Sequence, residues 1–154
     1  MKVKITRFIV LISLMSMING CSFKQQSYAN IGLEKVKQDI RSKNRDLVRR
    51  FSEYWHYRLL NNYKKIYNYE LPYQRYLIPF SRYKALLAGY GKKAKVNLLS
   101  IDRNKNIAIV KREVVVGNKR YQGFDKWIFV DGEWCHKFFQ NILPPKTEEE
   151  AKFQ

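Results

Sequence analysis

Residues Asp125–Phe139 read DKWIFVDGEWCHKFF. Two alternating, aromatic-rich runs flank Asp131-Gly132, and a two-residue Asp-Gly link is a strong short-range signal for a β-hairpin. Glycine accepts the positive φ that a type I′ turn demands, and that turn's twist matches the strands it joins. A turn at this point sets the register: Val130 faces Glu133, Phe129 faces Trp134, Ile128 faces Cys135 and Trp127 faces His136. Side chains alternate across a ribbon, so Trp127, Phe129, Trp134, His136 and Phe138 share one side. That aromatic side needs cover, and the helices upstream are the candidates.

Working back from the hairpin, the strand period continues. Ala94–Asp102 and Asn106–Val116 alternate about a turn at Arg103-Asn104-Lys105, and Gly117-Asn118 is a second two-residue hairpin link into Lys119–Val130. Gly123 interrupts that long strand and predicts a bulge or bend. Upstream of Gly89 the period is helical. From Arg45 to Tyr67, residues Val48, Phe51, Trp55, Leu59, Tyr63 and Ile66 fall on one broad face, opposite Asp46, Arg50, Glu53, Tyr57, Asn61 and Lys64. Leu47, Tyr54 and Leu60 flank the polar stripe, which predicts a helix packed on two sides. A weaker pattern at Leu33, Val36 and Ile40 precedes it. Pro72 and Pro79 each suit the first turn of a short helix, the second running to Ala88 before Gly89. Helices followed by hairpin-linked strands make an α+β domain, with N-terminal helices on a curved antiparallel sheet.

This order of elements resembles the nuclear transport factor 2-like (cystatin-like α+β) superfamily, the cone-shaped fold shared with ketosteroid isomerase. The resemblance rests on RFSEYWHYRLLNNYKKIYNYELP and on the hairpin Trp127-Ile-Phe-Val-Asp-Gly-Glu-Trp134, and covers about Arg45 to Leu143. It implies a pocket between sheet and helices lined by Phe51, Trp55, Tyr63, Trp127, Phe129, Trp134 and His136. Ketosteroid isomerase chemistry needs a carboxylate base and acidic hydrogen-bond donors in an apolar pocket. Asp125 lies on the ribbon side of Trp127 but toward the far end of its strand.

The chain's 154 residues divide into 1–20 as a leader, 21–31 as a tether, 32–143 as a single domain and 144–154 as a charged tail. Lys2, Lys4 and Arg7 precede an eleven-residue apolar run, Phe8–Ile18. That is too short for a spanning helix, which needs roughly 20 residues, and it fits a secretory leader. Ile18-Asn19-Gly20-Cys21 resembles the lipobox of bacterial lipoprotein signal peptides, in which the cysteine takes the lipid, palmitate among its acyl chains. An ordinary signal peptide cut nearby is the alternative. With Cys21 acylated, Cys135 has no partner in the chain, and the domain must stand without a disulfide.

The charge is strongly basic, 30 Lys and Arg against 13 Asp and Glu, and the three basic residues of the leader leave 27 against the same 13. Such an excess attracts polyanions. A leader places the domain outside the cytoplasm, so anionic lipid or glycan of the cell envelope ranks above nucleic acid, with Lys92, Lys93 and Lys95 as the exposed basic group. A merely solvated basic surface is the competing explanation.

Chemical candidates are sparse. His136 with Asp125 or Tyr63 makes an acid–base pair if folding brings them within about 3 Å. Two histidines and one remaining cysteine give no metal-ligand spacing, and no phosphate loop, nucleophile elbow or dinucleotide fingerprint occurs, so no cofactor is expected. These features point to a membrane-anchored envelope lipoprotein whose domain binds a partner protein, a small apolar ligand or an anionic surface. A lyase or isomerase of the ketosteroid isomerase type is the alternative. No oligomeric state is legible.

The anchor is directly testable, because stable membrane attachment requires more than a single acyl chain. Radiolabelled palmitate should be incorporated into the wild type and lost in Cys21→Ala. Equal labelling of both, or of neither, excludes the anchor.

Overall fold

The computed structural model describes residues 28–91 and 93–138, and the expected leader, the lipobox at Cys21, Lys92 and the charged tail lie outside the described residues. Five helices precede four long or medium strands: α1 (Gln38–Lys43), α2 (Arg45–Leu59), α3 (Tyr63–Tyr67), α4 (Pro72–Leu77) and α5 (Phe80–Leu86), then β2 (Lys95–Asn104), β3 (Ile107–Val116), β4 (Lys119–Val130) and β5 (Glu133–His136). A two-residue strand, β1 (Ile31–Gly32), comes before the helices. The strands form one curled sheet in sequential order, β1-β2-β3-β4-β5. Its last four strands are antiparallel, as read from the hairpin links.

The sheet is mixed, however, because β1 runs parallel to β2 through Ile31 and Val96. Two residues are too few to show a period, so this edge strand is invisible to patterning. It also draws Ile31, within the stretch read as tether, into the sheet. Tyr28 packs further back still, its ring stacked on His56 at 4.2 Å.

The β4–β5 hairpin has the register its turn dictates, with Trp127 opposite His136 and Phe129 opposite Trp134. Asp131 and Gly132 both take positive φ, 50° and 85°, as a type I′ turn requires. At Gly123 there is no bulge: β3 and β4 pair without interruption from Ile107↔Ile128 to Val116↔Lys119. The irregularity falls instead in β2, between Leu98 and Ser100. Gly123 is glycine for space. It lies opposite Arg112, and a Cβ there would sit 2.9 Å from Arg112 Nη1.

The long helix expected over 45–67 breaks after Leu59. Asn61 takes φ 55°, and Asn62 then caps α3 by accepting a hydrogen bond from the Lys65 amide at 3.2 Å. Asparagine tolerates the left-handed region and its side chain competes with helical bonding, so Asn-Asn ends one helix and starts another.

The core is formed where α2 lies on the inner face of the sheet. Leu47, Phe51, Tyr54, Trp55 and Leu59 meet Val96, Leu98, Ala108, Val110, Val114, Trp127 and Trp134. Arg50 fastens α2 to β5: its Nε donates to the Trp134 carbonyl at 3.0 Å, and its guanidinium lies over the Tyr69 ring. Cys135 is buried with a free thiol, and burial raises its pKa, which keeps it a protonated packing residue.

Trp134 is 3 % exposed and packs between Phe129 and the α2 layer. Trp134→Ala should therefore cost roughly 3–5 kcal/mol, a large part of a domain's stability. Thermal or denaturant unfolding measures it, and a melting point within a few degrees of wild type would show the hairpin's aromatic face to be dispensable.

Candidate functional site

The last strand carries the chain's polar centre. On one edge β5 pairs with β4, and on the other it meets the segment between α3 and α4. The His136 amide donates to the Tyr69 carbonyl at 2.7 Å, and the Leu71 amide donates to the His136 carbonyl at 3.0 Å. This parallel bridge sets Glu70 beside His136. A carboxylate only accepts, so His136 Nδ1 carries the hydrogen and donates to Glu70 Oε2 at 2.8 Å. Glu70 Oε1 accepts from Tyr83 at 2.7 Å and from Tyr54 at 3.3 Å. Just beyond, Gln74 holds the Phe138 backbone at both its amide and its carbonyl.

A second carboxylate stands on the other side of the imidazole. Asp125 Oδ1 lies 4.0 Å from His136 Nε2. The same oxygen accepts from Arg112 Nε at 2.9 Å, and Oδ2 accepts from Trp55 Nε1 at 2.6 Å. Arg112 is fixed flat, with the Trp55 ring 4.5 Å from its guanidinium carbon and Gly123 close against its terminal nitrogens. Glu70, Asp125 and His136 are 1 %, 2 % and 6 % exposed, so the histidine is held in the interior between two hydrogen-bonded carboxylates. Tyr54 and Tyr83 have pKa values pushed well above the usual range, first by burial and then by the Glu70 charge. Both therefore remain donors at any ordinary pH. The Tyr54 ring also stacks on the imidazole, with centroids 4.4 Å apart.

This centre opens on one side into a cleft of about 380 Å³. Aromatic walls come from Tyr54, Trp55, Tyr90, Phe124 and Phe138, and three cationic side chains, Arg58, Arg112 and Lys137, reach it along with Asp125 and His136. Arg58 Nη1 is buried and has no hydrogen-bond partner among the described residues, while the Arg58 guanidinium lies 5.5 Å from the Tyr90 ring. No group of side chains with metal-ligand geometry occurs among the described residues.

Of the residues singled out in the sequence, Trp55 and His136 line this cleft, and Asp125 is beside them. Phe51, Trp127 and Trp134 are core residues on the closed side of the layer. Phe129 packs on the Trp134 ring, 5.3 Å away, and Tyr63 opens α3 with its hydroxyl near Asn61. Lys93 and Lys95 are exposed. Glu70, Arg58, Tyr83 and Lys137 carried no local sign of their role. Arg112 did carry one, since Ala108, Val110 and Val114 alternate with it on one buried face of β3. A lone arginine in that row requires a carboxylate nearby, and Asp125 is the diagonal neighbour on β4.

The fold and site together define an α+β domain with a buried carboxylate–histidine–carboxylate centre beneath a basic, aromatic cleft. No protein-family model matches the chain, and no curated protein matches it. Among solved structures it is similar to a SEC-C motif-containing protein from Rhodopseudomonas palustris, at 11 % sequence identity and a TM-score of 0.47, over 73 % of this chain and 96 % of that one. The likeness found is to that protein and not to the nuclear transport factor 2-like superfamily, so the resemblance stated from the sequence is corrected. Helices before hairpins, and an Asp-Gly turn between aromatic strands, satisfy any antiparallel sheet covered on one face. Neither feature distinguishes one such fold from another.

Asp125 satisfies two donors that have no alternative in the interior. Asp125→Ala should destabilise the domain by roughly 3–5 kcal/mol, toward the lower figure because Arg112 keeps some contact with solvent. Asp125→Asn, which retains an acceptor for one donor, should cost less. Denaturant unfolding of the three proteins orders them, and an unchanged midpoint for Asp125→Ala would show that the pairing contributes nothing.

Proposed function

We propose that this chain is a membrane-anchored envelope lipoprotein whose domain holds a small anion with a flat apolar body in the cleft above His136. The observation that carries this reading is the pairing of an aromatic wall with cationic groups, one of which is only partly neutralised inside the domain. Arg112 has Asp125 as its counter-charge, but among the described residues Arg58 has no carboxylate as a hydrogen-bond partner and keeps a buried Nη1 without an acceptor. A buried donor left unmade is costly, and an anionic oxygen supplies the missing acceptor with a charge-assisted bond. Trp55, Tyr90 and Phe124 offer ring faces to the apolar part of such a molecule. The envelope location rests on the leader and on Cys21.

A second reading, proton transfer by a lyase or isomerase, is favoured by one specific feature. His136 lines the cleft with Nδ1 held by Glu70 and Nε2 4.0 Å from Asp125 Oδ1. That is the arrangement of an oriented general acid or base. Both carboxylates already have strong donors, however, and a binding role needs no further group.

The two parts of the binding reading, charge and flat ring, can be separated with 2-naphthoate and its uncharged analogue 2-naphthalenemethanol. A ligand that binds only the native state raises the unfolding temperature by an amount that grows with the logarithm of its concentration relative to its Kd. Naphthoate should raise it and the alcohol should do so far less. Arg58→Met should weaken naphthoate binding about tenfold, the loss of one charged hydrogen bond, while Lys93→Glu leaves it unchanged. Equal shifts for acid and alcohol, or an Arg58→Met variant that binds like wild type, would overturn the anion reading.

A further inference from the structure

Among the described residues, the helical pair α4 and α5 leaves apolar side chains exposed. In α4 (Pro72–Leu77) the inward residue is Gln74, which holds the Phe138 backbone. Tyr73, Tyr76 and Leu77, spaced i, i+3 and i+4, lie to one side of it and are 53 %, 88 % and 67 % exposed. Phe80, which opens α5 (Phe80–Leu86), is exposed too, and so is Leu86 at its end. Soluble surfaces carry scattered hydrophobes, but five on two consecutive short helices form a patch that needs a partner.

The charge around the patch identifies that partner. From Leu71 to Ile101 the chain has no Asp or Glu, while Arg75, Arg82, Lys84, Lys92, Lys93 and Lys95 all fall within it. Arg82 and Lys84 are exposed beside Phe80 and Leu86 on α5. Tyrosine and leucine with arginine and lysine at their margin is the composition of a helix lying in the headgroup zone of a bilayer. Its apolar side chains enter the acyl boundary and its cations meet acidic headgroups. A second copy of this chain fits poorly. A two-fold contact sets the same patch against itself and would bring Arg82 and Lys84 against a surface whose charged side chains are all basic, with no acidic residue in the segment to offset them.

We infer that α4 and α5 form a shallow membrane-insertion face, with Tyr73, Tyr76, Leu77 and Phe80 seated in the interface of an anionic bilayer and Arg82 and Lys84 on its headgroups. The inference rests on the envelope reading above only for the presence of a membrane, and it is independent of what fills the cleft. It gives the domain a fixed orientation at the surface that a lipid anchor alone does not supply.

Tyr76 is nearly fully exposed, so Tyr76→Trp reports on this face without disturbing the fold. The full chain carrying it is mixed with vesicles of brominated phosphatidylcholine, either alone or with phosphatidylglycerol, and its emission is compared with that of the parent chain. The added indole should lose most of its emission and shift to the blue with the acidic vesicles, and should be little affected by the neutral ones. Reversal of Arg82 and Lys84 to Glu should abolish the difference. Vesicle-bound chain whose residue 76 is not quenched by brominated lipid overturns the insertion face while leaving the lipid anchor in place. Failure to bind either vesicle, equal quenching in neutral and acidic lipid, or shielding from aqueous acrylamide without lipid quenching overturns it as well. The last of these would assign the patch to a protein surface.

Discussion

The structure depends on the pairing of His136 along both edges of a four-residue strand. Its neighbour on one side is Trp127 of β4, fixed by the Asp131-Gly132 turn, and on the other side it is Glu70, held by two backbone hydrogen bonds. The first contact is local, between residues a few positions apart, and costs little loop-closure entropy. The second joins parts of the chain separated by α4, α5 and most of the sheet. Closing that long loop is what brings α3, α4 and the hairpin into one body. Without it the strand would be an edge, and the imidazole would face a gap rather than a carboxylate.

Interior charge explains much of the remaining arrangement. Two buried carboxylates flanking one side chain, one hydrogen-bonded to it and the other 4.0 Å away, are expensive in an apolar core unless their lone pairs meet donors. Here the donors come from separate elements: Trp55 of α2, Arg112 of β3, Tyr83 of α5 and His136 of β5. Each contact is thus also a tie between layers. The network specifies how helices and sheet sit on each other, which apolar packing alone leaves loosely defined. Gly123 belongs to the same account, since the space it leaves lets the Arg112 guanidinium lie flat between the strand and the Trp55 ring.

The basic residues are not spread evenly over function. Arg112 is neutralised internally, Arg50 is spent on holding β5 and the Tyr69 ring, and Lys35 and Arg120 pair with Glu113 at the sheet. Of the others, Arg58 stands at the cleft, and Arg82, Lys84, Lys93 and Lys95 lie in the segment free of acidic residues that includes α4 and α5. A small anion in the cleft and an anionic bilayer at α4 and α5 are the partners we propose for these two sets of residues.

Although the β2–β3 turn falls at Lys105-Asn106 rather than at Arg103-Asn104-Lys105, the sequence by itself determined the other two hairpins, the register of β4 on β5 and the inward face of the main helix. These follow from alternation, from an Asp-Gly turn whose geometry is set within a few residues, and from a 3.6-residue period. It also raised the leader and Cys21, which belong to residues outside those the structure describes. It misplaced the limit of the main helix because Asn61 can adopt a conformation that an apolar period does not register. It misread Gly123 because a glycine in a strand looks the same whether it bends the chain or makes room for a neighbour. The centre itself was decided only by tertiary structure. Glu70 lies in an unpatterned stretch before a proline, and Arg58 and Tyr83 sit on helices whose local pattern is equally compatible with solvent. A carboxylate becomes part of a site when distant donors converge on it, and that convergence is a property of how the layers close, not of any neighbouring residues in the chain.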